Sequence, residues 1–163
     1  MSLFATAGSK LYIGIAKEQQ AADFALADFS AANAATWKLV GQLEALGSLG
    51  DSAEAISFTA IDRNRTQTIK GPRSAGQMEL VAGLDHADVG QLALIAAERT
   101  PHDYEFRLVL NDAPAGGGTP SERLFVAKVM TASEAFDAAN SVMKANFTLG
   151  VNSNVVRINA DEA

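Results

Sequence analysis

The stretch Glu54–Lys70, EAISFTAIDRNRTQTIK, carries two alternating runs on either side of a charged turn. The first run, Glu54 to Ile61, sets Ile56, Phe58 and Ala60 on one side, with Ser57 and Thr59 beside Ala55 and Ile61 on the other. That is the period of a strand with one buried face. The second, Asn64 to Lys70 (NRTQTIK), keeps the strand propensity of its threonines but has little apolar content. Such a ribbon has little to bury. It reads as part of an arm, Asp62 to Gly76, that is either a solvated hairpin or a reach toward a neighbouring subunit's sheet. In the second case Arg63, Arg65 and Lys70, with Thr66, Gln67 and Thr68 between them, make the contact through ion pairs and backbone hydrogen bonds. An arm of that kind also hides strand edges that an isolated sandwich must otherwise protect.

Working outward, the same period recurs. Leu11, Ile13 and Ile15 share a face in Lys10 to Ala16, as do Trp37, Leu39, Gly41 and Leu43, and then Met78, Leu80, Ala82 and Leu84. Tyr104, Phe106, Leu108 and Leu110 form the clearest stripe. Leu124 to Met130 reads as its hairpin partner across a loop, Asn111 to Glu122, whose three glycines and two prolines predict projection and movement. Asn140 to Val151 closes the series through Met143, Ala145, Phe147, Leu149 and Val151, for six to eight strands. One segment breaks the period: Asp88 to Arg99 places Val89, Leu92, Ala93 and Ala96 on one side of a helix, which Asp85 or Asp88 can cap and Pro101 stops. The alanine-rich stretch 18–36 holds a weaker helical signal, DFALADF, equally consistent with an ordered loop. The predicted fold is mainly β, a single domain over 1–163: an antiparallel sandwich or barrel with one flanking α-helix and a long β-hairpin arm. The acidic C-terminal residues read as a solvated tail.

The size, 163 residues and 17.0 kDa, suits one core; a compact monomer of that mass exposes roughly 7,700 Å². There is no cysteine, so disulfides and thiolate metal sites are excluded. The N-terminus does not read as a secretion signal, and no apolar stretch approaches the roughly 20 residues of a membrane helix. The formal charge of -6 argues against a protein that grips phosphates, though not against a surface past which a polyanion slides. His86 and His102, the only histidines, lack partners for a nitrogen or sulfur zinc set, and the cluster Asp85, His86 and Asp88 reads as helix capping. No serine sits in a nucleophile turn, and Gly116 to Gly118 lack the lysine of a phosphate loop. Neither a catalytic centre nor a cofactor is expected.

In order and spacing, several elements together resemble the tail tube protein, or major tail protein, of long-tailed, non-contractile bacteriophages. These are the Trp37 to Gly41 strand, Glu54 with Thr59 and Asp62 ahead of a basic arm, and Lys70, Gly71, Ser74 and Gly76 after it. Asp88, Gly90 and Gln91 at a helix start, Arg107 on the next strand and Asn140 before the last long strand complete the set. The resemblance implies six-membered rings, four strands from each subunit in a continuous inner barrel, and rings stacked into a tube with the helix outside. It implies partners: a tape-measure protein, a tail terminator, distal tail or baseplate proteins, and double-stranded DNA in transit without specific binding or membrane insertion. The protein would assemble in the host cytoplasm and reside in the virion tail. Related inner tubes occur in contractile tails, type VI secretion and gene transfer agents, and one of these is the alternative reading. A monomeric sandwich that binds carbohydrate or peptide is disfavoured because Tyr12, Trp37 and Tyr104 are scattered over three strands.

A ring of that size closes at a diameter of about 50 Å. An acidic lining weakens phosphate adhesion, so Glu54, Asp62, Glu79 and Asp85, on or beside expected wall strands, are lumen-facing candidates. Each has a rival role in solvent or in a salt bridge to the arm.

Overall fold

The structure, a computed structural model, describes residues 2–30 and 35–162. In chain order come strands Lys10–Ala16 (β1), Lys38–Val40 (β2), Leu43–Ala45 (β3), Ser52–Thr59 (β4), Thr66–Ser74 (β5) and Gln77–Gly83 (β6). The helix Val89–Glu98 (α1) follows, then Tyr104–Val109 (β7), Glu122–Ala135 (β8), Lys144–Val151 (β9) and Val156–Ile158 (β10). Eight strands make one antiparallel sheet in the order β2-β1-β7-β8-β9-β6-β3, with β10 beside the start of β8; β4 and β5 pair only with each other.

The long strand β8 determines the architecture. Its first half, to Ala127, pairs with β7 and its second, from Ala127, with β9, and a register shift between Val129 and Thr131 interrupts the second ladder. The sheet therefore folds over on itself. Leu11, Ile13, Phe106 and Phe125 from one layer meet Met78, Leu80, Phe147 and Leu149 from the other in a single core, and Phe106 stacks on Phe125 at 5.4 Å between ring centres. In the run Leu124–Ala127 all four side chains are buried, because this layer is covered on both faces. Its outer face carries Phe24, Phe29 and Trp37 against Leu124 and Val126. The segment that supplies Phe24 and Phe29 contains one 3-10 turn, Leu26–Asp28. Asn154 holds it by accepting the Phe24 N–H at 2.8 Å and donating to the Phe24 carbonyl at 3.0 Å. The fully buried Glu105 accepts the N–H groups of Ile15 and Ser30, tying this segment to β1. The stretch 18–36 is thus an ordered cover as far as Ser30; residues 31–34 lie outside the described part.

The two ends of the sheet, β2 and β3, do not pair, so no barrel closes by hydrogen bonds among the described residues. They are joined instead by two residues, Gly41 and Gln42, with Gln42 in the left-handed region at φ 59°. The helix start closes this seam. Asp88 caps α1 through the Gln91 N–H (2.9 Å) and accepts the Gly41 N–H (3.0 Å) with the same oxygen. The buried Gln91 side chain donates to the carbonyls of Gly41 (3.1 Å) and Gly83 (2.8 Å) and accepts the Asp85 N–H. Between them Gly90 lies so close to β2 that a Cβ would collide with the Leu39 carbonyl.

Several expectations need correction. Among the described residues ten strands replace six to eight, because Trp37–Leu43 breaks at the seam and the C-terminal stretch contributes β10. That break puts Val40 in the core and leaves Leu39 exposed. Ile15 is exposed by a bulge in β1, and Met143 lies outside β9. On α1 the buried side is Gly90, Gln91, Leu94 and Ala97, while Val89 and Leu92 face outward. The tail is paired rather than loose, through β10 and a bridge from Asp161 to Thr119. The same bridge, with the Asp112 carboxylate accepting from the Ser121 N–H and hydroxyl, ties down the loop 111–122.

Candidate assembly interface

The strands β3 and β4 run outward, and β5 and β6 return, so they form one long hairpin. Its inner half, β3 with β6, belongs to the sheet; its outer half, β4 with β5, leaves the body altogether. The ladder stops between the halves, at residues 46–51 on one strand and Ala75 and Gly76 on the other, where Gly76 takes φ 66°. The arm is therefore larger than the expected 62–76, and it includes the whole of β4. Glu54–Ile61, expected to bury one face, buries none: every residue of β4 is exposed, Ala60 beyond it is only half-buried, and of β5 all but the half-buried Gly71 are exposed.

The two faces of the arm differ. Cross-strand partners share a face, so Ile56 lies beside Ile69 and Phe58 beside Gln67, giving an apolar side. The opposite side pairs Ala55 with Lys70, Ser57 with Thr68 and Thr59 with Thr66, whose hydroxyls are hydrogen bonded at 2.9 Å. Asp62, Arg63 and Arg65 sit in the turn beside a fully exposed Ile61. Arg63, Arg65 and Lys70 make no ion pair among the described residues. Arg73, at the base, does pair with Asp51 at 2.8 Å. An isolated two-stranded hairpin is at best marginally stable in water, and this one has two unpaired edges. The chain exposes 10382 Å², about one third more than a compact monomer of its mass.

The four lumen candidates are not brought together. Glu79 is exposed on the outward side of the β8, β9 and β6 layer, where it pairs in register with Thr148 near Asn146, Thr131 and Ser133. Glu54 and Asp62 belong to the arm. Asp85 lies in the turn before α1, where its carboxylate accepts the Ala87 N–H at 3.0 Å. The exposed apolar side of the arm was legible as an Ile56 and Phe58 stripe, but alternation alone does not reveal which stripes lack a covering layer.

No protein-family model matches the sequence, and no curated protein sequence matches it. Solved structures do. A chain in the sheath/tube terminator of an extracellular contractile injection system (PVC, extended state) superposes with TM-score 0.68 at 12% identity, covering 97% of this chain and 98% of that one. A chain in the anti-feeding prophage baseplate, 6-fold symmetrised, gives 0.68 at 11% identity, with 98% of each covered. The SPP1 tail tube gives 0.57 at 13% identity, covering 95% of this chain and 78% of that one. The chain therefore has a fold shared with chains of phage-tail and contractile injection assemblies: mainly antiparallel β with one flanking helix.

Proposed function

We propose that this chain is a structural subunit that self-assembles into the tube of an injection-type apparatus, and that the apparatus is of the contractile kind. The observation that carries the reading is coverage in both directions. Nearly the whole of this chain superposes on nearly the whole of its counterparts in a contractile injection system and in the anti-feeding prophage, whereas the SPP1 tail tube matches less closely and over less of its length. The expectation of a long non-contractile phage tail thus becomes the second reading, supported by the SPP1 likeness.

In this reading the work is assembly followed by passive conduction, without bond chemistry. Copies form six-membered rings that stack, and β6 and β9 form wall. The outward polar layer with Glu79 turns to the lumen, as do Glu54 and Asp62 where the arm lines it; Asp85 has a local capping role that competes with a lumen position. The arm, through Arg63, Arg65 and Lys70 and the backbone from Thr66 to Thr68, clasps a neighbouring copy. A tape-measure protein, a terminator and baseplate proteins bound the tube, and a macromolecule passes through it: double-stranded DNA if the apparatus is a phage tail.

Electron microscopy of the purified protein at rising concentration tests the reading. Stacked rings or tubes are expected. A chain that stays monomeric at every concentration, and in the presence of preformed ends of such a tube, overturns it.

A further inference from the structure

Seven of the fifteen large apolar side chains exposed among the described residues lie at just two places. Four are on the arm: Ile56, Phe58, Ile61 and Ile69. Three are on the turn between β8 and β9: Phe136, Val142 and Met143, within a stretch, 136–143, that is exposed throughout. The two places sit at opposite ends of one sheet layer. In the pairing of β6 with β9, Gln77 opposite Gly150 marks the end from which the arm departs, and Gly83 opposite Lys144 marks the end that carries the turn. Eight residues of β9 separate them, about 26 Å.

Their charges are opposed. The arm, residues 52–74, holds Arg63, Arg65, Lys70 and Arg73 against Glu54 and Asp62, so the rest of the chain carries eight more acids than bases. Beside the turn, Glu134 and Asp137 are exposed and make no ion pair among the described residues. Lys144 does not neutralise them, because it pairs with Glu44 at 2.8 Å.

We propose that the apolar, basic arm of one copy seats on the apolar, acidic β8–β9 turn of the next, head to tail along the sheet. This rests on the tube reading and specifies which surfaces meet. A contact between two different patches of the same chain propagates, whereas a self-complementary patch stops at a dimer. Apolar contacts between Phe58 or Ile61 and Phe136 or Val142 supply the adhesion, and Arg63 and Arg65 opposite Glu134 and Asp137 fix the register.

The absence of native cysteine gives a direct test. A chain carrying both Ile61→Cys and Val142→Cys, oxidised during assembly, is expected to give a covalent ladder of dimers, trimers and longer species; each single variant stops at dimers. In parallel, Arg65→Glu and Asp137→Arg are each expected to reduce assembly at least tenfold, and the combined variant to recover most of it. Tubes that form without a ladder or charge-swap recovery overturn this contact while leaving the tube reading intact. Chains that neither associate nor cross-link at any concentration overturn both.

Discussion

The carboxylate of Asp88 accepts the backbone N–H of Gly41, 47 positions away, at 3.0 Å with the same oxygen that caps the helix. One side chain thus serves both a helix start and a strand break. Asp88→Ala is expected to lower unfolding free energy by about 1–2 kcal/mol, at the upper end for a capping residue, because two donors lose their acceptor. Urea denaturation followed by circular dichroism measures it, and a loss within a few tenths would show that the seam closes without Asp88.

Gln91 makes three contacts across the same seam and is buried. Gln91→Leu keeps the volume but leaves the carbonyls of Gly41 and Gly83 without that donor and the Asp85 N–H without an acceptor. A destabilisation of about 2–3 kcal/mol is expected, larger than that of Asp88→Ala. The reverse order in a denaturation series contradicts this account of the seam.

The guanidinium of Arg107 grips Glu122 through two nitrogens, at 2.5 and 3.1 Å, and lies 5.5 Å from the centre of the Tyr12 ring. The hydrogen bond to Glu122 raises its proton affinity, so its charge persists at any working pH. Arg107→Lys keeps the charge but loses the fork and the flat stacking surface. About 1 kcal/mol of stability is expected to disappear, with little change in salt dependence. A thermal melt at low and high salt checks both statements.

Ser121 donates its hydroxyl and N–H to Asp112, and these hydrogen bonds hold the Asp112 carboxyl below its usual value of 3.8. A depressed folded value stabilises the fold above the unfolded carboxyl's range, and that contribution fades as pH falls through the folded value. Carbon-detected NMR titration is expected to show Asp112 protonating below the ordinary aspartate range, and Ser121→Ala to move it back up toward that range. An unchanged Asp112 in that variant removes the serine as the cause.

On the proposed tube reading, amides of the arm report on assembly directly. In the free chain, Arg65 in the turn and Thr66 to Lys70 in the exposed two-stranded ladder have no body behind them, so hydrogen exchange is expected to be fast. In tubes the same amides are expected to slow at least tenfold. Equal protection in the two states would disconnect the arm from assembly.

Much of the fold was legible because alternation reports burial where a core exists. Met78, Leu80 and Ala82, and Ala145, Phe147, Leu149 and Val151, are buried in the order their spacing predicts. The arm's polar return strand was also readable, since threonines without apolar neighbours announce a ribbon that buries nothing. The pattern misled at Ile56 and Phe58, whose spacing matches a core strand although no layer of the same chain covers them. It misled again on α1, which has two apolar sides, one packed on β1, β2 and β8 and one facing out. The seam was not legible as a seam: the Asp88, Gly90 and Gln91 spacing looked like a helix start, and its second task depends on Gly41 and Gly83, which only folding brings near.

The interruption of the long hairpin at 46–51 and at Gly76 has a mechanical meaning. The break in the ladder is spanned by side-chain packing rather than backbone pairing, since Leu46, Leu49 and Ala75 rest against the core, so a change of angle of the outer half need not alter the register of β3 with β6. In the proposed tube, a subunit built this way would tolerate small changes of angle toward its neighbour without losing its own shape. Bending of an assembled polymer would then be taken up at a joint repeated in every copy, and the walls between joints would stay stiff.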